Sequence, residues 1–112
     1  MTDDKVEVMA WAGDLDARAA DRLAELLGTS RASGVRDVVL DLGQVGFVSS
    51  AGFGALVAET GAFREAGGDL WLCGFTPQVR AVADLLGLSR VARVHEDRAA
   101  ALDALGAARM AG

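Results

Sequence analysis

Two adjacent hydroxyls, one thiol, one imidazole and two closely spaced glycines are the groups in this chain that could do chemistry. Ser49 and Ser50 stand together in LDLGQVGFVSSAGFGAL, with Gly52 and Gly54 just after them. Ser50-Ala51-Gly52 matches the second half of the nucleophile elbow G-x-S-x-G, but Val48 occupies the place of its first glycine. The only histidine, His95, falls near the end of the chain, and no hydrolytic triad is expected from it. Gly52-x-Gly54 begins like a dinucleotide-binding loop, yet Val57 replaces the third glycine and both glycines fall inside a helical pattern. One cysteine, Cys73, and one histidine far from it make no metal site. Neither an enzyme nor a cofactor is expected.

The elements that must hold these groups follow from periodicity. Val6, Val8 and Ala10 alternate with Lys5, Glu7 and Met9, as in a strand with one face inward. After Gly13, Asp14 or Asp16 can cap a helix with Leu15, Ala19, Leu23, Leu26 and Leu27 on one face, fraying into a loop from Gly28 to Gly34. Val38, Val39, Leu40 and Leu42 read as a strand covered on both faces. A turn at Gly43 to Gly46 precedes Val45, Phe47 and Val48, which lead to the serines. The next helix carries Phe53, Leu56, Val57, Thr60 and Phe63 on one stripe, and Gly67 suits a left-handed C-terminal cap.

Leu70 to Cys73 is a further buried strand, with Cys73 read as inert core and Trp11 and Trp71 assigned to packing. Thr76-Pro77 marks a helix start, with Val79, Val82, Leu85 and Leu86 on its inner face and Gly87 at its end. Val91 and Val94 fall in a last short strand. Asp97 caps a final helix weakly anchored by Leu102 and Leu105. Strands alternate with helices throughout. The fold class is therefore α/β, with a mainly parallel four- to five-stranded sheet and about four helices packed on it.

The chain of 112 residues suits a single domain, residues 1–112, with 52% hydrophobic and 24% charged residues, the balance of a globular protein. A net charge of −5 with eleven scattered basic residues argues against direct binding to nucleic acid. No run approaches the roughly 20 apolar residues of a membrane span. The acidic start, MTDDKVEV, is not a signal peptide, and single-cysteine usage fits a reducing cytoplasm.

At the serine pair, one hydroxyl suffices to cap a helix, most naturally Ser49, which leaves Ser50 at the first helical position with its hydroxyl outward. Gly52 and Gly54 each weaken that helix by up to ~1 kcal/mol relative to alanine. Such a start is either packed tightly on a neighbour or approached closely by a partner's backbone. Phe53 is either buried core or an exposed anchor.

The run LDLGQVGFVSSAGFGAL resembles the signature of the STAS domain, shared by anti-sigma factor antagonists and the C-terminal regions of sulfate transporters. GDLDARAADRLAELL, REAGGDLWLCGFTPQVRAVADLLGLSRV and EDRAAALDAL resemble that family's other segments, so the likeness covers nearly the whole chain. The resemblance implies a bacterial, cytoplasmic regulator of transcription that acts by protein–protein contact. Its partner would be an anti-sigma factor with serine kinase activity, bound through Ser49, Ser50, Ala51, Gly52 and Phe53. Phosphorylation at Ser50, or alternatively Ser49, would release the partner, and a serine phosphatase would restore binding. Ser49 occupies the position of the motif's aspartate, which either weakens the kinase reaction or marks a member that is never phosphorylated. In the second case the resemblance implies a STAS accessory subunit, such as one docking on the ATPase of an ABC lipid-transport complex.

Overall fold

A computed structural model describes residues 5–111, leaving the acidic stretch before Lys5 outside the described residues. Among the described residues four strands form one sheet: β1 (Lys5–Ala12), β2 (Val35–Gln44), β3 (Asp69–Cys73) and β4 (Arg93–His95). They lie in the order β1-β2-β3-β4, every pair parallel, with Val8 opposite Val39 and Val39 opposite Trp71. Helices α1 (Ala17–Ala32), α2 (Ser50–Glu65) and α3 (Pro77–Leu85) make the crossovers, α3 with a 3-10 turn at Leu88–Arg90, and α4 (Arg98–Ala111) closes the chain.

The two-residue period of the strands divides the core into two clusters. Val38, Leu40 and Leu42 of β2 and Leu70 and Leu72 of β3 face α1, α2 and α3. Val39, Trp71 and Cys73 point the other way, where Ala101 and Leu105 of α4 cover them. Ion pairs fasten both ends of α4 to β2: Arg98 to Asp41 at 2.7 Å and Arg109 to Asp37 at 2.8 Å.

In β1 the alternation is present, and the structure sets its phase. Met9 and Trp11 lean on the larger cluster, whereas Val6, Val8 and Ala10 are exposed. The cluster that Ala101 and Leu105 of α4 cover holds residues of β2 and β3 and none of β1, so nothing in it covers the outward side of β1. Helix α1 runs past Gly28 to Ala32, because tertiary contacts hold the segment expected to fray. The Ser30 hydroxyl donates to Glu7 at 2.7 Å, and Arg31 pairs with Glu59 at 2.7 Å. Residues 45–47 leave the sheet, and Val48 makes a single bridge to Leu15. Asp16, Ser49, Thr76 and Asp97 each accept a backbone N–H as caps, and Gly67 takes φ +94 just past α2.

Several apolar residues expected inside stand outside. Leu26, Val57 and Leu102 are exposed, and Val91 is exposed and precedes β4. On α3 only Val79 and Ala83 are buried; Val82 is exposed, and Leu85 and Leu86 are 87% and 61% exposed. This nine-residue helix touches the core only at its first turn and at Ala83.

Candidate serine switch site

The site is built where the chain leaves β2 and enters α2. Leu15, in the loop between β1 and α1, donates its N–H to Phe47 at 2.8 Å. Its carbonyl accepts the Ser49 N–H at 3.0 Å and the Ser49 hydroxyl at 3.1 Å. The same Ser49 oxygen accepts the Gly52 N–H at 3.1 Å, capping α2. Ser49 thus uses both capacities of its hydroxyl to fix the mouth of α2 against the entry to α1. Val48, before the cap, and Phe53, at the fourth helical position, are both buried and border one hollow, the arrangement of a hydrophobic staple.

Ser50 is the first residue of α2 and is exposed, as is Ala51. Among the described residues nothing hydrogen-bonds the Ser50 hydroxyl, and the N–H groups of Ser50 and Ala51 lie in the first helical turn, which offers them no intrahelical acceptor. Those N–H groups and the helix dipole favour negative charge at this point.

The two glycines separate the alternatives left by the sequence. A methyl group on Gly52 would lie 2.5 Å from the Leu15 carbonyl oxygen and 2.8 Å from a Val48 methyl, so Gly52 is there for internal packing. Nothing lies within 4 Å of the corresponding position on Gly54, which is exposed. Phe53 is 7% exposed and belongs to the core cluster, so it is no projecting anchor. Its ring separates two apolar hollows on the surface. One, of about 190 Å³, is bordered by Phe47, Val48, Gln78 and Val82; the other, of about 370 Å³, by Gly54, Val57, Leu86 and Val91. Phe47, 53% exposed, stands on the rim.

The outward-facing surface beside Ser50 is therefore carried by Phe47, Gly54, Val57, Val82 and Leu86 rather than by Gly52 and Phe53. The sequence held one sign of it: α3 has more apolar positions than one narrow stripe needs. Charge is not wholly absent, since the exposed Asp14 reaches toward Gly46.

The remaining reactive side chains lie elsewhere. His95, on β4, stacks on Trp71 with ring centroids 5.9 Å apart, on the α4 face of the sheet. Its Nε2 is buried without a hydrogen-bond partner among the described residues, and burial, with Arg93 beside it, holds its pKa below the usual range. Cys73 is buried and its thiol is pushed up to about 11, mainly by desolvation. Arg98 and the Gly43 N–H lower the pKa of Asp41. No group of three metal-ligating residues, and no helix long and apolar enough to cross a membrane, occurs among the described residues.

Comparison with known proteins yields one family. BtrV of Bordetella bronchiseptica, which carries the name of a proposed anti-sigma factor antagonist, is 34% identical over 104 residues, 90% of each chain. The crystal structure of an anti-sigma factor antagonist from Mycobacterium paratuberculosis superposes with a TM-score of 0.80 at 26% identity, covering 94% of this chain and 89% of the other. The STAS domain of a SulP transporter from Vibrio cholerae gives 0.74 at 20% identity over 100% and 89% of the two chains, so the fold is not confined to antagonists. The STAS domain family model matches residues 2–101, and this chain belongs to the STAS family.

Proposed function

We propose that this protein is an anti-sigma factor antagonist switched at Ser50. In this reading the unmodified chain binds an anti-sigma factor that is also a serine kinase, and so regulates transcription without touching nucleic acid. The observation that carries it is the placement of the Ser50 hydroxyl, exposed and unengaged at the start of α2 beside two apolar hollows. A docked partner removes those hollows from water. Phosphorylation adds about −1.5 to −2 charges at the same point. The helix N-terminus tolerates that charge, whereas a close interface has to desolvate it, so the complex separates. The Ser49–Leu15 hydrogen bonds keep the mouth of α2 fixed, so the switch needs no rearrangement of the fold. A serine phosphatase resets it. The protein itself catalyses nothing and works in the cytoplasm.

The relatives named as antagonists support this reading. Ser49 in place of the motif aspartate favours a second one, an accessory STAS subunit that is never phosphorylated and docks on a partner such as a transporter ATPase. Intact-mass measurement after incubation with the cognate kinase and ATP separates the two. One added phosphate that maps to Ser50 and disappears in Ser50→Ala is expected. Absence of uptake with the kinase that the protein binds would overturn the switch and leave the accessory role.

A further inference from the structure

A second polar site lies at the opposite end of the sheet, where β2, β3 and β4 begin. Asp37 and Asp69 are both buried there, and their oxygens are fully engaged. Asp37 Oδ1 accepts the Asp69 N–H and the Trp71 Nε1–H, each at 2.9 Å, while its Oδ2 takes two N–H groups of Arg109 at 3.2 and 2.8 Å. Asp69 accepts from the Leu70 N–H at 2.9 Å, Arg64 at 3.2 Å and Arg93 at 2.8 Å. Four guanidiniums, with Arg36 the fourth, thus surround two carboxylates, in a chain whose net charge is −5.

A hollow of about 330 Å³ opens onto this cluster, lined by Arg36, Arg93, Arg109 and Trp71 with the two aspartates. Arg93 lies 4.5 Å above the Trp71 ring and engages Asp69 through Nε. No hydrogen bond to its two terminal nitrogens occurs among the described residues. The oxygens of both aspartates are used, and the terminal nitrogens of Arg93 are left as donors facing the hollow. A cation would find no lone pair here, whereas an anion finds a planar donor fork in a positive field.

We propose that this hollow binds a small polyanion, a phosphate- or carboxylate-bearing molecule of at least two negative charges, with the terminal nitrogens of Arg93 as its principal contact. The size suits a compact ligand, near the lower end of small-molecule pockets. Seven steps along the strand lead from Asp37 to Gln44, roughly 23 Å at ~3.3 Å each, so this site and the serine switch are distinct.

Trp71 is a built-in reporter. In a Trp11→Phe background it is the sole indole, and its fluorescence can be followed while pyrophosphate or citrate is added at constant ionic strength. Saturation with half-effect below about 1 mM is expected for at least one of the two, weakened about tenfold or more by Arg93→Gln. The better probe identifies the ligand as phosphate- or carboxylate-type, and either preference supports the site. Arg93→Lys keeps the charge without the fork and is expected to fall between the parent and Arg93→Gln; it decides the matter if Arg93→Gln fails to fold. Ser50→Ala is expected to titrate like the parent. A linear response to both probes up to about 10 mM, or folded Arg93 variants that saturate like the parent, would overturn the proposal.

Discussion

Gly52 and Gly54 sit two residues apart on one helix, and alanine at each should shift stability in opposite directions. At Gly54 a methyl group meets nothing within 4 Å, so only helix propensity changes, and Gly54→Ala should stabilise by about 0.4–1 kcal/mol. At Gly52 the same methyl would sit 2.5 Å from the Leu15 carbonyl oxygen, about 1 Å inside normal contact. That carbonyl cannot yield easily, because it accepts two hydrogen bonds from Ser49, at 3.0 and 3.1 Å. Weakening both costs about 2 kcal/mol and residual overpacking about 1–3 more, against a propensity gain of about 1. The net is a loss of about 3 kcal/mol. Thermal unfolding followed by circular dichroism should show Gly52→Ala melting some 12–15 °C lower and Gly54→Ala a few degrees higher, at about 4–5 °C per kcal/mol. A Gly52→Ala protein as stable as the parent would refute the argument that Leu15 and Ser49 lock the mouth of α2. The stable Gly54→Ala protein has a second use: its methyl intrudes on the 370 Å³ hollow, so binding of the partner should weaken while the fold improves.

The two serines should also diverge, with Ser49→Ala costing about 1–2 kcal/mol in urea unfolding for the lost cap and Ser50→Ala within about 0.5 of the parent. Acid titration of stability should show two steps. His95 has a folded pKa below its ordinary 6.5, through burial first and Arg93 second, so the unfolded chain takes up that proton first. The His95 contribution is full above the ordinary 6.5 and is lost as pH falls from there through the lower folded value; His95→Gln should remove this step when unfolding is measured across that range. The second step, from Asp41, comes as pH falls below its ordinary 3.8 toward its lowered folded value, and should shrink with Arg98→Gln, which leaves only the Gly43 N–H to hold the carboxylate. Cys73, with its thiol at about 11 and its side chain buried, should resist thiol reagents in the native state and react at the rate of unfolding.

The order of elements was legible in the sequence because strand and helix periods differ and because caps are local: Ser49 and Thr76-Pro77 announce themselves within three residues. What stayed hidden depended on coverage by elements remote in sequence. The pattern of β1 fixed its alternation but not its phase, since whether Val8 or Met9 faces a helix depends on where α4 comes to rest. The apolar residues of α3 look like core until Leu85 and Leu86 are seen to stand in solvent. Gly52 and Gly54 are indistinguishable as letters, and only the Leu15 carbonyl separates them. The polyanion hollow joins residues from the starts of β2, β3 and β4 and the end of α4, positions that share no local motif.

In this sheet spatial order equals chain order, β1-β2-β3-β4. Every strand therefore joins a neighbour that has already been synthesised, and none has to be threaded between two formed strands. As the polypeptide leaves the ribosome, each new β-α-β unit can extend a growing edge, with α4 arriving last to close the second side. Growth ends at β4, three residues long, which is too short an edge to recruit a foreign strand.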